Sequence, residues 1–188
     1  MNFESKYLVR WGVPGWVLML FLAAFYAINF QEKFLHIILS DKFSIVGFTA
    51  FAAVLGIIIG HLIHQVSICF GFVAVELIKK GGWNNYFLRE LKVDKQIIEL
   101  EKMGPTIKDI YSYRLGQLHA RRGLLTSLFI SIFLLILLIF CCGYYNKETM
   151  ILFYINAFLL LVMIMNYLYF NKNLKFFMDR VRIFKSRD

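Results

Sequence analysis

Residues 43–75 read FSIVGFTAFAAVLGIIIGHLIHQVSICFGFVAV, 33 positions without a charged side chain. As one helix, at about 1.5 Å per residue, that stretch would reach ~50 Å. The hydrocarbon layer of a bilayer is only ~30 Å thick. The segment must therefore cross a membrane and then tilt, break or project beyond it, and Gly71 is the expected break. Its membrane-crossing part falls at 43–64. Three further apolar runs lie at 13–30, 124–142 and 150–170. Lipid offers no partner to a free backbone N–H or C=O, so such runs must close their hydrogen bonds internally as helices. None of them shows the sustained alternation of a membrane β-barrel. The reading is an all-α integral membrane protein: four transmembrane helices in one domain over 1–188, 60% hydrophobic.

Charge then orients the chain. Segment 31–42 holds Glu32, Lys33, Asp41 and Lys42, which cancel, and the turn 143–149 holds only Lys147 and Glu148. The central loop 79–122 instead carries ten Lys/Arg against five Asp/Glu, and the tail 171–188 carries six against two. Loops rich in Lys and Arg stay in the cytoplasm. Both termini and the central loop are thus expected there, in a multi-pass protein of the cell's inner (plasma) membrane. The first run lacks a clean small–x–small site after it, so it reads as a retained signal anchor. Pro14 suits the first turn of that helix, and Trp11 and Trp16 flank it as rings do at a membrane boundary.

The loop reads as two short helices. One begins near Trp83 or Asp94 and stops at Met103-Gly104-Pro105. The next starts at Pro105 and Thr106, with Ile107, Ile110, Tyr111, Leu115 and Leu118 at helical spacing. Only Gly116 and Gly123 oppose it before the third span, and each is mildly unfavourable. This helix is expected to run straight into the membrane. The third and fourth spans form a tight hairpin, and the tail is expected to be another short helix at the bilayer surface, where its cations meet anionic lipid.

Within the second run, Gly56-Ile57-Ile58-Ile59-Gly60 is a GxxxG motif, whose small residues let helix backbones approach closely. The same spacing puts Ala52, Gly56, Gly60 and His64 on one face, with His61 and Gln65 beside it. Two readings stand: helix packing within one subunit with interfacial histidines, or an oligomer interface in which His61, His64 and Gln65 line a wet path or gate. Cys69, Cys141 and Cys142 have no metal-ligand spacing and read as small apolar fillers. His61 and His64 lack the further histidines that an iron or haem site would need, so no metal and no cofactor is expected. Arg114 and His119 match the Arg-x4-His spacing of HEPN ribonucleases, yet five residues apart they do not stack on one helix face. No phosphate loop, nucleophile elbow or carboxylate pair is visible, and the protein is not expected to be an enzyme. Lys108, Arg114, Arg121 and Arg122 are the candidate binding residues for a cytoplasmic protein or an anionic nucleotide or oligonucleotide. The same cations also serve topology and anionic lipid alone.

Four spans, both ends inside, the GIIIG stripe and a compact basic helical loop together resemble the small four-span membrane effectors of bacterial antiphage defence, such as the membrane subunits of the Hailong and Kiwa systems. The resemblance is architectural and transfers no particular residue. It implies a defence role, a cytoplasmic partner and membrane disruption, the Hailong type being similar to a ligand-controlled ion channel. The leading expectation is a homo-oligomeric membrane pore, a tetramer, controlled by a cytoplasmic ligand or partner. One subunit of four spans hardly encloses a water-filled path, so several copies must surround it. The alternative is a non-conducting membrane adaptor or sensor that recruits a cytoplasmic effector.

Overall fold

A computed structural model describes residues 8–40, 44–73 and 104–185, with 85, 87–88, 91–92 and 95 between them. It contains helices and no strand among these residues, and four of the helices are long and apolar enough to cross a membrane. A π-helical turn, Leu8–Gly12, leads into α1, Val13–Asn29, with Pro14 in the first turn where its missing N–H costs nothing. A short helix, α2 (Gln31–Ile38), follows at once; the neutral segment had given no sign of it. The Ser44 hydroxyl then caps α3, Ile45–Ile68, by accepting from the Gly47 N–H at 3.2 Å. At the end of the over-long second run, where a break was expected, the helical winding widens into a π-helical turn at Cys69–Val73 that contains Gly71.

The other half is a hairpin of two 39-residue helices, α4 (Gly104–Cys142) and α5 (Lys147–Lys185). Each is about 58 Å long, nearly twice a hydrocarbon layer. Helix α4 runs without a stop from the basic loop into the third span, as its sequence required. The tail is a correction: it is no separate short helix but the continuation of α5. No Gly or Pro occurs after Gly143 to stop that helix. Gly143 itself turns the hairpin at φ 75°, where a side chain would be strained. The Asn146 side chain then caps α5, accepting from the Thr149 N–H at 2.7 Å. The helix expected to begin near Trp83 or Asp94 lies mostly outside the described residues.

Helices α1 and α4 form the centre. In the span window of α1, 33% of residues are buried, and 28% in α4, against 11% in α3 and in α5. The buried apolar side chains are Leu18, Phe21 and Phe25 of α1 and Leu128, Leu135 and Ile139 of α4, with Ile63 of α3 and Met178 of α5. The hairpin turn and the end of α1 meet at one end of the bundle. The first turn of α1 and the outer half of α5 lie at the other, alongside the basic part of α4.

Candidate functional site

The glycine stripe is filled from within the chain. A Cβ built on Gly15 of α1 would lie 1.8 Å from the Gly56 carbonyl oxygen, and one on Gly60 only 1.5 Å from the Trp11 oxygen. Gly56 faces the Trp16 ring, whose Nε1–H donates to the Ala53 carbonyl at 3.2 Å. Backbone therefore lies on backbone where α1 crosses α3, with Gly15 as the third glycine. Sequence reading missed Gly15 because it stands alone, without a four-residue partner on its own helix. Ala52, one turn before Gly56, is half-buried.

The polar patch beyond the stripe divides. His64 turns inward and is 4% exposed. His61 and Gln65 turn outward; their side chains meet each other at 3.4 Å, and the Trp11 ring sits edge-on to His61 at 5.2 Å. Inside, the His64 ring lies 6.2 Å from that of His119 on α4. Arg122 joins them: its Nε–H donates to the Ser67 hydroxyl at 2.9 Å, and its terminal nitrogen lies 3.1 Å from His119 Nδ1. The Arg122 stem passes over Gly71, within 3.3 Å of where a Cβ would stand. Both imidazoles feel the charges of Arg10 and Arg122. The Cys69–Val73 turn thus borders one buried cluster in which Arg122 and His119 tie α4 to α3. Such turns recur at functional sites. Among the described residues, no three His, Cys, Asp or Glu side chains gather as metal ligands.

The four candidate binding cations do not form one site. The Arg121 guanidinium lies 3.3 Å from the centre of the Phe170 ring on α5 and donates to the Gln117 carbonyl and side chain. Nearly two turns earlier on the basic part of α4 (the stalk, 104–123), Arg114 lies 4.6 Å from the Phe177 ring and donates to Asn173. Two arginines seven apart therefore grip two phenylalanines seven apart, a helical spacing legible in both segments once paired. Arg122, one residue on and about 100° around the helix, faces α3 instead. Lys108 is exposed, thirteen residues from Arg121.

At the opposite end, Asn29 Nδ2 donates to Phe25 O at 3.0 Å and to the buried Thr149 hydroxyl at 2.9 Å. Its carbonyl accepts from the Asn146 amide. This lock joins α1 to the hairpin turn. Between the two ends, Ser127 donates to the Pro14 carbonyl at 2.6 Å, and Ser131 to the Ser127 carbonyl at 2.9 Å. Asn156, seven residues past Thr149 on the same face of α5, is fully buried with neither amide atom hydrogen-bonded. The arrangement is suited to transmission: α4 carries the buried cluster, the central packing and the arginine grips on one rigid rod.

Comparison with protein-family models, with curated proteins and with solved structures finds no match to this chain.

Proposed function

We propose that this chain is the subunit of a homo-oligomeric pore in the inner membrane. Its termini and stalk are cytoplasmic, and a ligand or partner at the stalk controls it in antiphage defence. The observation that carries the reading is the outward-facing pair His61 and Gln65 on α3. Ionisable and amide side chains on a membrane-crossing helix favour protein or water over lipid. Because Gly56 and Gly60 are covered by α1, assembly under this reading uses the opposite, outward face of α3. His61 and Gln65 line or gate the path there, and the buried His64 belongs to the coupling cluster. The stalk is continuous with the spans, so a ligand that binds its open and closed arrangements differently shifts the pore. The positive-inside pattern supports the orientation, and the architectural resemblance supports the defence role.

Native mass spectrometry in lipid nanodiscs, with ion flux from proteoliposomes, tests this. A closed ring, four copies being the expected number, and flux that is lost in His61→Leu/Gln65→Leu with unchanged thermal stability are the expected results. A monomer, or unchanged flux in that variant, overturns the reading. The adaptor reading draws on a different observation: Ile110 and Tyr113 face outward one turn apart on the stalk, at 38% and 68% exposure. It gains if Tyr113→Ala releases a co-purifying protein from a chain that conducts nothing.

A further inference from the structure

Helix α2 has no buried residue, although it carries Leu35, Ile37 and Ile38 at 53%, 49% and 41% exposure, with Leu39 behind them at 76%. At 100° per residue, Phe34, Leu35, Ile37 and Ile38 fall on one arc, which also holds Gln31 at the helix start, while Glu32, Lys33 and His36 fall on the other. The chain turns into it at Phe30, whose φ −132° and ψ 46° end α1. Rings of Tyr26 and Phe34 lie 6.4 Å apart. The non-helical backbone at Phe30 makes α2 a helix of its own and not a prolongation of α1.

Its depth is marked independently. The rings of Tyr26 and Phe30 stack at 5.1 Å, and Tyr144 of the hairpin turn meets Phe25 and Phe30 at 5.3 and 5.7 Å. Tyrosine rings, such as those of Tyr26 and Tyr144, collect where hydrocarbon gives way to headgroups. Beside them stands the Asn29–Thr149–Asn146 lock, the first polar network beyond the apolar part of α1. Glu32 and Lys33 cancel, so nothing in the helix demands an anionic surface.

We infer that α2 lies in the boundary between headgroups and acyl chains at the hairpin end of the bundle, with lipid as its occupant. Its apolar arc enters the upper acyl layer, and Glu32, Lys33 and His36 face water. The inference shares with the pore reading only that the four long helices cross a membrane; a non-conducting chain holds α2 the same way.

The test is electron paramagnetic resonance on single spin labels in neutral phosphatidylcholine vesicles, after Cys69, Cys141 and Cys142 are replaced by alanine. Labels go at Lys33, Leu35, Ile38 and, as a lipid-facing reference within the span, Leu20. Oxygen reaches labels in acyl chains, and a water-soluble nickel chelate reaches labels in water. Leu35 and Ile38 are expected to favour oxygen over nickel by several-fold, less than Leu20 does, with Lys33 reversed. Nickel reaching Leu35 and Ile38 as readily as Lys33 overturns the inference by placing α2 in water. Immobile labels shielded from both reagents overturn it in favour of a second copy of the chain. Nickel access at Leu20 instead removes the membrane reading itself.

Discussion

Replacing Gly60 by alanine tests the central packing with a single methyl group. Its Cβ would stand 1.5 Å from the Trp11 carbonyl oxygen, 2.6 Å from the Trp11 carbonyl carbon and 3.0 Å from the Gly15 nitrogen. Ordinary contact begins near 3.4 Å, so α1 must retreat by about 2 Å. The obstacle is backbone, which has no rotamer to change. Retreat pulls Gly15 off Gly56 and opens the helix contact on which association in lipid depends. Overpacking of this kind costs about 1–3 kcal/mol and sometimes more; a rigid double backbone clash belongs at the upper end. For a chain of this size, each kcal/mol moves Tm by about 2–4 °C. The expected loss is therefore about 6–12 °C, read by thermal unfolding in detergent at a dilution that leaves single subunits. Gly116→Ala serves as control, because nothing lies within 4 Å of the added atom, and alanine favours helix by up to ~1 kcal/mol. A Gly60→Ala subunit with the parent Tm, changed only in its oligomeric mass, would refute intramolecular packing of the stripe.

Arg121→Ala should loosen the stalk by about 0.5–2 kcal/mol through loss of its contact with the Phe170 ring. Hydrogen exchange along 104–121 should rise in that variant, and Phe170→Leu should add little to it; fully additive effects would show the pair uncoupled. Asn156→Leu should raise Tm, because it removes a buried amide with neither atom bonded, a desolvation cost of roughly 1–3 kcal/mol. A lower Tm would show that the amide is satisfied in the working protein. Thr149→Val keeps the shape of the side chain but leaves the Asn29 amide without its 2.9 Å acceptor. A loss of about 1–2 kcal/mol is expected, together with faster exchange at the end of α1. No change in either would dismiss the lock.

The four spans were legible in the sequence because length and apolarity are properties of the chain alone. The unbroken course of α4 followed from the absence of a stop between Thr106 and Cys142, whereas the expected break at Gly71 is a change of winding to a π-helical turn. The same reasoning, carried past Gly143, would have kept α5 continuous to Lys185. Helix α2 escaped because eight residues with cancelling charges show neither a run nor a loop excess.

Which faces meet was decided by tertiary structure. His61 and His64 are neighbours on α3, yet His64 turns in toward His119 of α4 while His61 stays outward. Arg121 and Arg122 are adjacent, yet one grips Phe170 and the other reaches Ser67 on a different helix. Gly56 and Gly60 announced a close approach, while its partner, Gly15, emerged only from the docking of α1. In a soluble helix, an apolar stripe marks the buried side. Helix α3 up to Gly60 is apolar on nearly every face, since lipid tails are as apolar as leucine and exert no hydrophobic preference between its faces. The sequence therefore determined how many helices are long and apolar enough to cross a membrane and where the positive charge gathers. Their pairing awaited the fit of small residues, rings and hydrogen bonds that only the assembled bundle brings together.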